Sequence, residues 1–192
     1  MNLPNVLTLL RIVLIPFFII AYYWPTPFAG WISAGIFALA AVTDWLDGYL
    51  ARKWQQTSDF GAFLDPVADK LMVAVVLVLI VGESQARVQP SGAWLAIPAA
   101  VIVGRELMVS ALREWMAEIG KRATVAVSMV GKVKTTLQMI AITLLLVRDP
   151  IGEFPTHLVG VVLLYVAAAL TLWSMVVYLR AAWPSLRANE NR

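Results

Sequence analysis

The sequence predicts an all-α polytopic membrane protein, and two observations carry that prediction. Of the 192 residues, 60% are hydrophobic and only 14% are charged, and the mean hydropathy is +0.78. Apolar stretches long enough to cross about 30 Å of hydrocarbon recur along the whole chain. Because no stretch has the composition of a separate soluble domain, we expect one integral-membrane domain over 1–192.

Turn-forming and charged residues divide the apolar sequence into six helices. The first begins after Pro4 and Asn5, which together form a helix start signal. Turn formers are concentrated in three loops on one side of the membrane, at 24–27, 82–92 and 149–155; the loops on the other side are 53–60 and 120–124. The predicted transmembrane helices are 6–24, 29–50, 61–82, 93–117, 125–147 and 157–181.

The distribution of basic residues predicts the orientation of these helices. Alternating topology places one group of them on a single side of the membrane, namely Arg52, Lys53, Lys121, Arg122, Arg180, Arg187 and Arg192. The opposite side carries Arg87 and Arg148. The positive-inside rule therefore predicts a multi-pass protein of the cytoplasmic membrane with both termini in the cytoplasm. No basic stripe with interleaved aromatic residues is present, so we expect no nucleic-acid partner.

Four aspartates form the most informative pattern in this apolar chain. Asp44 and Asp47 are three residues apart, and Asp65 and Asp69 are four apart, so each pair lies on one face of a helix. A charged residue at bilayer depth costs about 2.5 to 3.5 kcal/mol on insertion scales, so this cluster needs cations. Hard divalent ions with oxygen ligands, above all Mg²⁺, suit such a site. Two such ions roughly 4 Å apart are a recurrent arrangement for phosphoryl transfer.

Alternating topology places all four aspartates in the cytoplasmic half of the membrane, within reach of cytoplasmic substrates. Gly48 and Gly61 accompany them, and a residue without a Cβ permits close approach of a helix or a ligand. Arg52 can meet phosphate or base oxygens at the inner rim. The alternative interpretation is a set of structural ion pairs, with Lys70, Arg52 and Arg113 as partners of the aspartates.

A second polar cluster is predicted on the fourth and fifth helices, where basic residues outnumber Glu106 and Glu114. Its members are Arg105, Glu106, Ser110 and Arg113 on the fourth helix, and Lys132, Lys134 and Thr135 on the fifth. This surplus of positive charge at membrane depth predicts a bound anion. Lys132 and Lys134 point about 200° apart on an ideal helix, so we expect only one of them to face the anion squarely.

The first helix adds two polar residues, Thr8 and Arg11, which are three residues apart. Arg11 is close enough to the helix end to reach the cytoplasmic headgroups by extending its side chain. The alternative is that Arg11 contacts the substrate.

The aspartates belong to a longer motif with mixed residue types and fixed spacing. It reads Asp44-x-x-Asp47-Gly48-x-x-Ala51-Arg52, eight residues, Gly61, three residues, Asp65, three residues, Asp69. This motif is similar in every position to that of the CDP-alcohol phosphotransferase family, whose six-helix fold agrees with the outline above. Four further segments resemble bacterial members that act on glycerol 3-phosphate: LPNVLTLLR at 3–11, FGAFLDPVADK at 60–70, GRELMVSALREWMAEIGKR at 104–122 and GKVKTTLQM at 131–139.

The resemblance implies a transferase of phospholipid biosynthesis. The phosphatidyl group of CDP-diacylglycerol would pass to sn-glycerol 3-phosphate, giving phosphatidylglycerophosphate and CMP. Two Mg²⁺ or Mn²⁺ ions would be held by Asp44, Asp47, Asp65 and Asp69, and Asp69 would also be the general base. The resemblance further implies a homodimer in the bacterial inner membrane, surrounded by membrane lipids, with its active site facing the cytoplasm.

The resemblance also implies two substrate subsites. CDP-diacylglycerol would be bound by Asp44, Gly48, Ala51, Arg52 and Gly61. The acceptor phosphate would be bound by Thr8, Arg11, Arg105, Arg113, Lys132 and Lys134.

Two alternative functions stay open on the sequence. A different acceptor, such as inositol phosphate, phosphatidylglycerol or serine, would keep the family and change the product, although a strongly cationic pocket favours a phosphorylated acceptor over serine. A divalent-cation transporter is the alternative from another class of protein. Transporters often carry internal repeats and interrupted helices in both halves, and this sequence has neither.

Overall fold

The fold consists almost entirely of helices. A computed structural model describes residues 3–54, 59–87, 92–118 and 129–190. The six helices in these ranges are α1 Leu3–Tyr23, α2 Ala29–Trp54, α3 Asp59–Arg87, α4 Gly92–Glu118, α5 Met129–Val147 and α6 Thr156–Glu190. The six helices predicted from the sequence are therefore confirmed within the described part of the chain. The predicted start of α5 at residue 125 lies outside the described residues.

The helices differ from the prediction mainly at their ends, where several are longer. α6 continues to Glu190 instead of residue 181, and α2 continues to Trp54 instead of residue 50. α3 continues to Arg87, so the predicted loop from Gly82 onwards is wrong over its first part. Hydropathy marks where apolar residues stop, whereas a helix continues through polar residues that favour it. A single glycine within a helix is tolerated.

Packing arranges the six helices as a closed ring. α1 packs against α2 and α3, α3 packs against α4, and α4 packs against α6; α5 completes the ring by packing against α6 and α2. α3 and α5 also touch each other across the middle of the ring. Large side chains that are fully buried fill its interior, including Phe18, Phe37, Leu77, Ile102, Ile142, Leu146 and Leu164. Residues on the inner faces of α3 and α5 are therefore brought together.

Two glycines allow the backbone of α5 to approach its neighbours closely. A Cβ atom on Gly30 of α2 would lie 2.6 Å from the carbonyl oxygen of Val147. A Cβ atom on Gly160 of α6 would lie 2.9 Å from Cγ of Leu145. Small residues at helix contacts are a common means of close packing inside membranes. α5 is thus held on both sides at the end of the bundle where α1 also ends.

Three of the described helices are long and apolar enough to cross a membrane. The qualifying segments are Val6–Tyr23, Trp94–Met116 and Thr156–Arg180, and shorter apolar segments occupy α2 and α5. Large apolar side chains also cover the outside of the ring, for example Phe17, Leu107 and Trp173. A water-soluble monomer rarely exposes so much apolar surface. The structure is therefore that of a membrane protein.

A compact polar cluster joins α1, α3 and α5 at the end of the bundle where α1 ends. This Arg148 cluster consists of Tyr22, Glu83 and Arg148. Nη2 of Arg148 lies 2.9 Å from Oε2 of Glu83 and donates to the carbonyl oxygen of Tyr22 at 3.1 Å. The hydroxyl of Tyr22 donates to Glu83 at 2.5 Å, and the guanidinium lies 4.4 Å from the centre of the Tyr22 ring. Arg148 has a φ of 68°, in the left-handed region that most residues avoid.

Candidate active site

The first motif aspartate, Asp44, is paired with an arginine from a neighbouring helix. Nη1 of Arg11 on α1 donates to Oδ1 of Asp44 on α2 at 2.5 Å. The side chain of Arg11 is 2% exposed, whereas that of Asp44 is 42% exposed. Thr8, one turn before Arg11, is fully buried. Arg11 therefore does not extend to the headgroups in this structure, and its charge is directed at the motif.

The backbone of α2 and α3 carries the other three motif aspartates. Asp47 lies on α2 three residues after Asp44, and Asp65 and Asp69 lie on α3 four residues apart. Their side chains lie outside the described residues. The same holds for the side chains of several other predicted site residues, namely Gly48, Ala51, Arg52, Gly61, Arg113 and Lys132. Their predicted roles stay predictions.

The predicted anion site corresponds to a charged cluster centred on Glu106. Oε1 of Glu106 accepts from Nη1 of Arg105 at 2.7 Å and from Nζ of Lys134 at 3.1 Å. Arg105 and Lys134 are buried, at 8% and 4% exposure. A single carboxylate oxygen thus joins two buried cations from α4 and α5.

Arg105 is held by a second helix as well. Its Nη2 donates to Oγ of Ser174 on α6 at 3.1 Å, and its guanidinium lies 5.8 Å from the centre of the Tyr178 ring. The buried Nε of Arg105 has no hydrogen-bond partner among the described residues. The guanidinium is therefore fixed in place by groups from α4 and α6.

A third cation, Lys70, reaches the same region from α3. Nζ of Lys70 donates to Oγ of Ser110, which lies one helical turn after Glu106 on α4. Among the described side chains, Lys70 is therefore bound to a hydroxyl, and the aspartate pairing considered for it from the sequence is not seen there. We refer to Lys70, Arg105, Glu106, Ser110 and Lys134 as the Glu106 cluster.

A cavity of about 90 Å³ opens beside this cluster. Its polar lining comes from three helices and consists of Lys70, Glu106, Thr135 and Gln138. The sequence pattern indicates Lys70 only as an ion-pair partner, and Gln138 was not among the predicted site residues. The signal for Gln138 was present, because a polar residue four positions after Lys134 lies on the same helix face.

A smaller cavity of about 10 Å³ lies beside the Arg11–Asp44 pair. Val73 on α3 and Met139 on α5 line both this cavity and the larger one. The motif aspartate and the Glu106 cluster are therefore neighbours inside the ring, with two apolar side chains between them. This arrangement can hold an anionic group beside the Glu106 cluster and metal ions beside the motif aspartates.

The carboxylates fit a hard divalent metal ion by the chemistry of their oxygens. Mg²⁺ and Mn²⁺ prefer carboxylate ligands, and the four aspartates supply them from two helices. Asp44 is the member whose side chain is described, and its carboxylate is exposed enough to meet an ion from solvent. Among the described side chains, no three or more His, Cys, Asp or Glu residues lie close enough together to hold a metal ion. The side chains of the other three motif aspartates are not among those described.

Comparison with known proteins identifies relatives over nearly the whole chain. The model of the CDP-alcohol phosphatidyltransferase family matches residues 1–173. A protein from Yersinia enterocolitica is 54% identical over 186 residues, which cover 97% of each chain. A protein from Salmonella typhimurium is 52% identical over 181 residues, which cover 94% of each chain. Both carry the name CDP-diacylglycerol–glycerol-3-phosphate 3-phosphatidyltransferase.

Proposed function

This chain belongs to the CDP-alcohol phosphatidyltransferase family, and we propose that it transfers the phosphatidyl group of CDP-diacylglycerol to sn-glycerol 3-phosphate. The products are phosphatidylglycerophosphate and CMP. The observation that carries this proposal is the identity of 52% to 54%, over nearly the full length, to relatives named for that reaction.

The Glu106 cluster supports a phosphorylated acceptor. Arg105 and Lys134 contact Glu106, and Lys70 donates to Ser110. Lys70 and Glu106 line a polar cavity. Three cations and one described carboxylate leave a net positive charge, which is costly at membrane depth and favours a ligand with negative charge. Glycerol 3-phosphate supplies a phosphate with a charge of about −2 at pH 7. Arg113 and Lys132, together with Thr8 and Arg11, complete the proposed acceptor site.

The motif residues form the proposed donor side of the site. Asp44, Asp47, Asp65 and Asp69 hold two Mg²⁺ or Mn²⁺ ions, in agreement with the general dependence of the family on divalent metals. When bound, these ions neutralise the pyrophosphate of the donor and the charge that develops on the leaving CMP. Residues Gly48, Ala51, Arg52 and Gly61 shape the cytidine diphosphate subsite, and Asp44 also contributes to it.

The proposed reaction is a direct displacement at phosphorus. The primary hydroxyl oxygen of glycerol 3-phosphate forms a bond to the phosphorus that carries diacylglycerol, and the bond from that phosphorus to CMP breaks. Asp69 accepts the proton of the hydroxyl as general base. The Glu106 cluster holds the acceptor phosphate, so the hydroxyl at the other end of this short molecule is directed towards the motif. Arg11 holds the carboxylate of Asp44 in place through their 2.5 Å contact.

We also propose how the protein sits in its membrane. All six helices span the bacterial inner membrane, both termini are cytoplasmic, and the whole chain is one domain. The basic loops support this orientation, and it places the motif on the side where glycerol 3-phosphate is available. A homodimer surrounded by membrane lipids is the proposed assembly.

An acceptor screen tests the proposed function. The purified protein is supplied with CDP-diacylglycerol and Mg²⁺, and CMP release is measured with sn-glycerol 3-phosphate, inositol 1-phosphate, serine, phosphatidylglycerol or glycerol. Of these five acceptors, we expect only glycerol 3-phosphate to give rapid CMP release. Glycerol should be a very poor acceptor because it has no phosphate to interact with the net positive charge of the Glu106 cluster. Preference for inositol 1-phosphate or phosphatidylglycerol would overturn the proposed acceptor and leave the family unchanged.

A further inference from the structure

Glu106 occupies an unexpected position for a carboxylate in an anion-binding site. It lines the cavity in which the acceptor phosphate is proposed to bind. At the same time its Oε1 contacts both buried cations behind it, Arg105 and Lys134. A fixed negative charge beside an anion pocket repels the ligand, so Glu106 weakens the attraction that the cations provide.

The described charges of the Glu106 cluster nevertheless have the sign that attracts one class of ligand. Three cations and one carboxylate give the Glu106 cluster a net charge of +2. A phosphate monoester carries a charge of about −2 at neutral pH. The proposed product, phosphatidylglycerophosphate, keeps the phosphate monoester of the acceptor. A more positive pocket would therefore bind the substrate more tightly and would also retain the product.

We propose that Glu106 is a built-in counterion that positions Arg105 and Lys134 and limits how tightly the pocket binds a phosphate monoester. This inference rests on the proposed function, because it assumes that the acceptor phosphate enters this cavity. Glu106 is a positioning residue, since it acts on the ligand through the two cations it holds. Its carboxylate keeps the cations ordered when the pocket is empty and competes with the phosphate when the pocket is filled.

The substitution Glu106→Gln separates these two effects. Glutamine keeps a side-chain oxygen that can accept from Arg105 and Lys134, but it removes the negative charge. The measured quantities are the KM for sn-glycerol 3-phosphate and the inhibition constant of inorganic phosphate, both at saturating CDP-diacylglycerol. Because one repulsive charge is removed, we expect both values to fall about tenfold. The KM for CDP-diacylglycerol should stay at the parent value. A role limited to packing would raise the first two values or leave them unchanged, and either result overturns the inference.

Two further variants keep the test valid even if Glu106→Gln fails to fold. Lys134→Gln removes one cation and should raise both values at least about tenfold. The double variant Glu106→Gln/Lys134→Gln removes one charge of each sign, so both values should return towards those of the parent. Failure to recover any affinity in the double variant overturns the counterion role.

The same series distinguishes the inference from the proposed function. If Lys134→Gln leaves both values unchanged, the acceptor phosphate does not bind at this cluster, and both the site and the inference are wrong. If Lys134→Gln weakens binding but Glu106→Gln does not strengthen it, only the inference is wrong. Glu153→Gln serves as the matched control, because Glu153 is exposed in the loop between α5 and α6. This control should leave all three constants at the parent values.

Discussion

Two charged clusters lie about 20 Å apart along the bundle, and they differ in the balance of their charges. The separation follows from α3, where Lys70 and Glu83 are 13 residues apart at about 1.5 Å per residue. In the Arg148 cluster one guanidinium meets one carboxylate, and a tyrosine hydroxyl donates to the same carboxylate. In the Glu106 cluster two cations contact one carboxylate, and a third, Lys70, donates to a serine hydroxyl and lines the cavity with Glu106.

This difference in charge balance is the one expected between a structural ion pair and a proposed anion-binding site. A one-to-one ion pair can hold helix ends together without any ligand. A surplus of buried positive charge is unfavourable in the empty protein and becomes favourable only when an anion arrives. Both clusters contain an arginine, a glutamate and a hydroxyl group, so residue types alone do not distinguish them. The two clusters are distinguished by the number of positive and negative charges in each.

The largest expected effect concerns the motif beside the Glu106 cluster. Asp44→Asn removes a proposed metal ligand and the partner of the buried Arg11, so CMP release should fall by about 10³-fold or more. EDTA should likewise abolish release in the parent, and added Mg²⁺ or Mn²⁺ should restore it. Asp149→Asn, in the exposed loop after α5, is the matched control and should keep parent activity. Parent-like turnover of Asp44→Asn would break the comparison, because the motif would then be a structural cluster as well.

The fold was accessible from the sequence because hydropathy reports directly on which segments avoid water. All six helices were found in the right order, and α1, α4 and α5 end within one residue of their predicted ends. The ends of α2, α3 and α6 were placed too early because their last turns are polar. The ring order of the helices depends on side-chain packing between distant segments, and periodicity in a single helix carries no information on it.

The candidate site was only partly accessible from the sequence. Spacing on one helix placed Glu106 and Ser110 on a common face, and Lys134 of α5 contacts Glu106. The side chain of Lys132 lies outside the described residues, so the expectation that only one of the two lysines faces the anion stays a prediction. Spacing could not show that Arg11 reaches Asp44, since these residues are on different helices. The pairing of Glu83 with Arg148 also joins distant segments, so no pattern in the sequence predicts the Arg148 cluster.

The second prediction tests whether the Arg148 cluster is purely structural. Glu83→Gln and Arg148→Gln each remove one partner of a mostly buried ion pair, so each should lower the free energy of unfolding by about 1–3 kcal/mol. Thermal unfolding in detergent measures this loss, and the double variant should lose less than the sum of the two single variants. The KM for glycerol 3-phosphate should not change. A rise in that KM similar to the rise expected for Lys134→Gln would show that the two clusters do not act separately.

The third prediction has the smallest expected effect and concerns backbone strain at Arg148. It sharpens the comparison of the two clusters by asking whether the ion pair imposes the backbone conformation of Arg148. Arg148 has a φ of 68°, a conformation that costs about 1–2 kcal/mol for a residue with a Cβ atom. Arg148→Ala and Arg148→Gly remove the same guanidinium, but glycine adopts this conformation without the steric cost. Thermal unfolding should therefore find the glycine variant more stable than the alanine variant by about 1 kcal/mol. This difference is less than the full steric cost because glycine gains freedom in the unfolded chain.

Equal stability of the two variants would mean that the loop relaxes once the guanidinium is gone, so that the contacts with Glu83 and Tyr22 impose the conformation. Gly152 in the same loop has a φ of 61°, so Gly152→Ala gives the cost of a Cβ atom where no ion pair is involved.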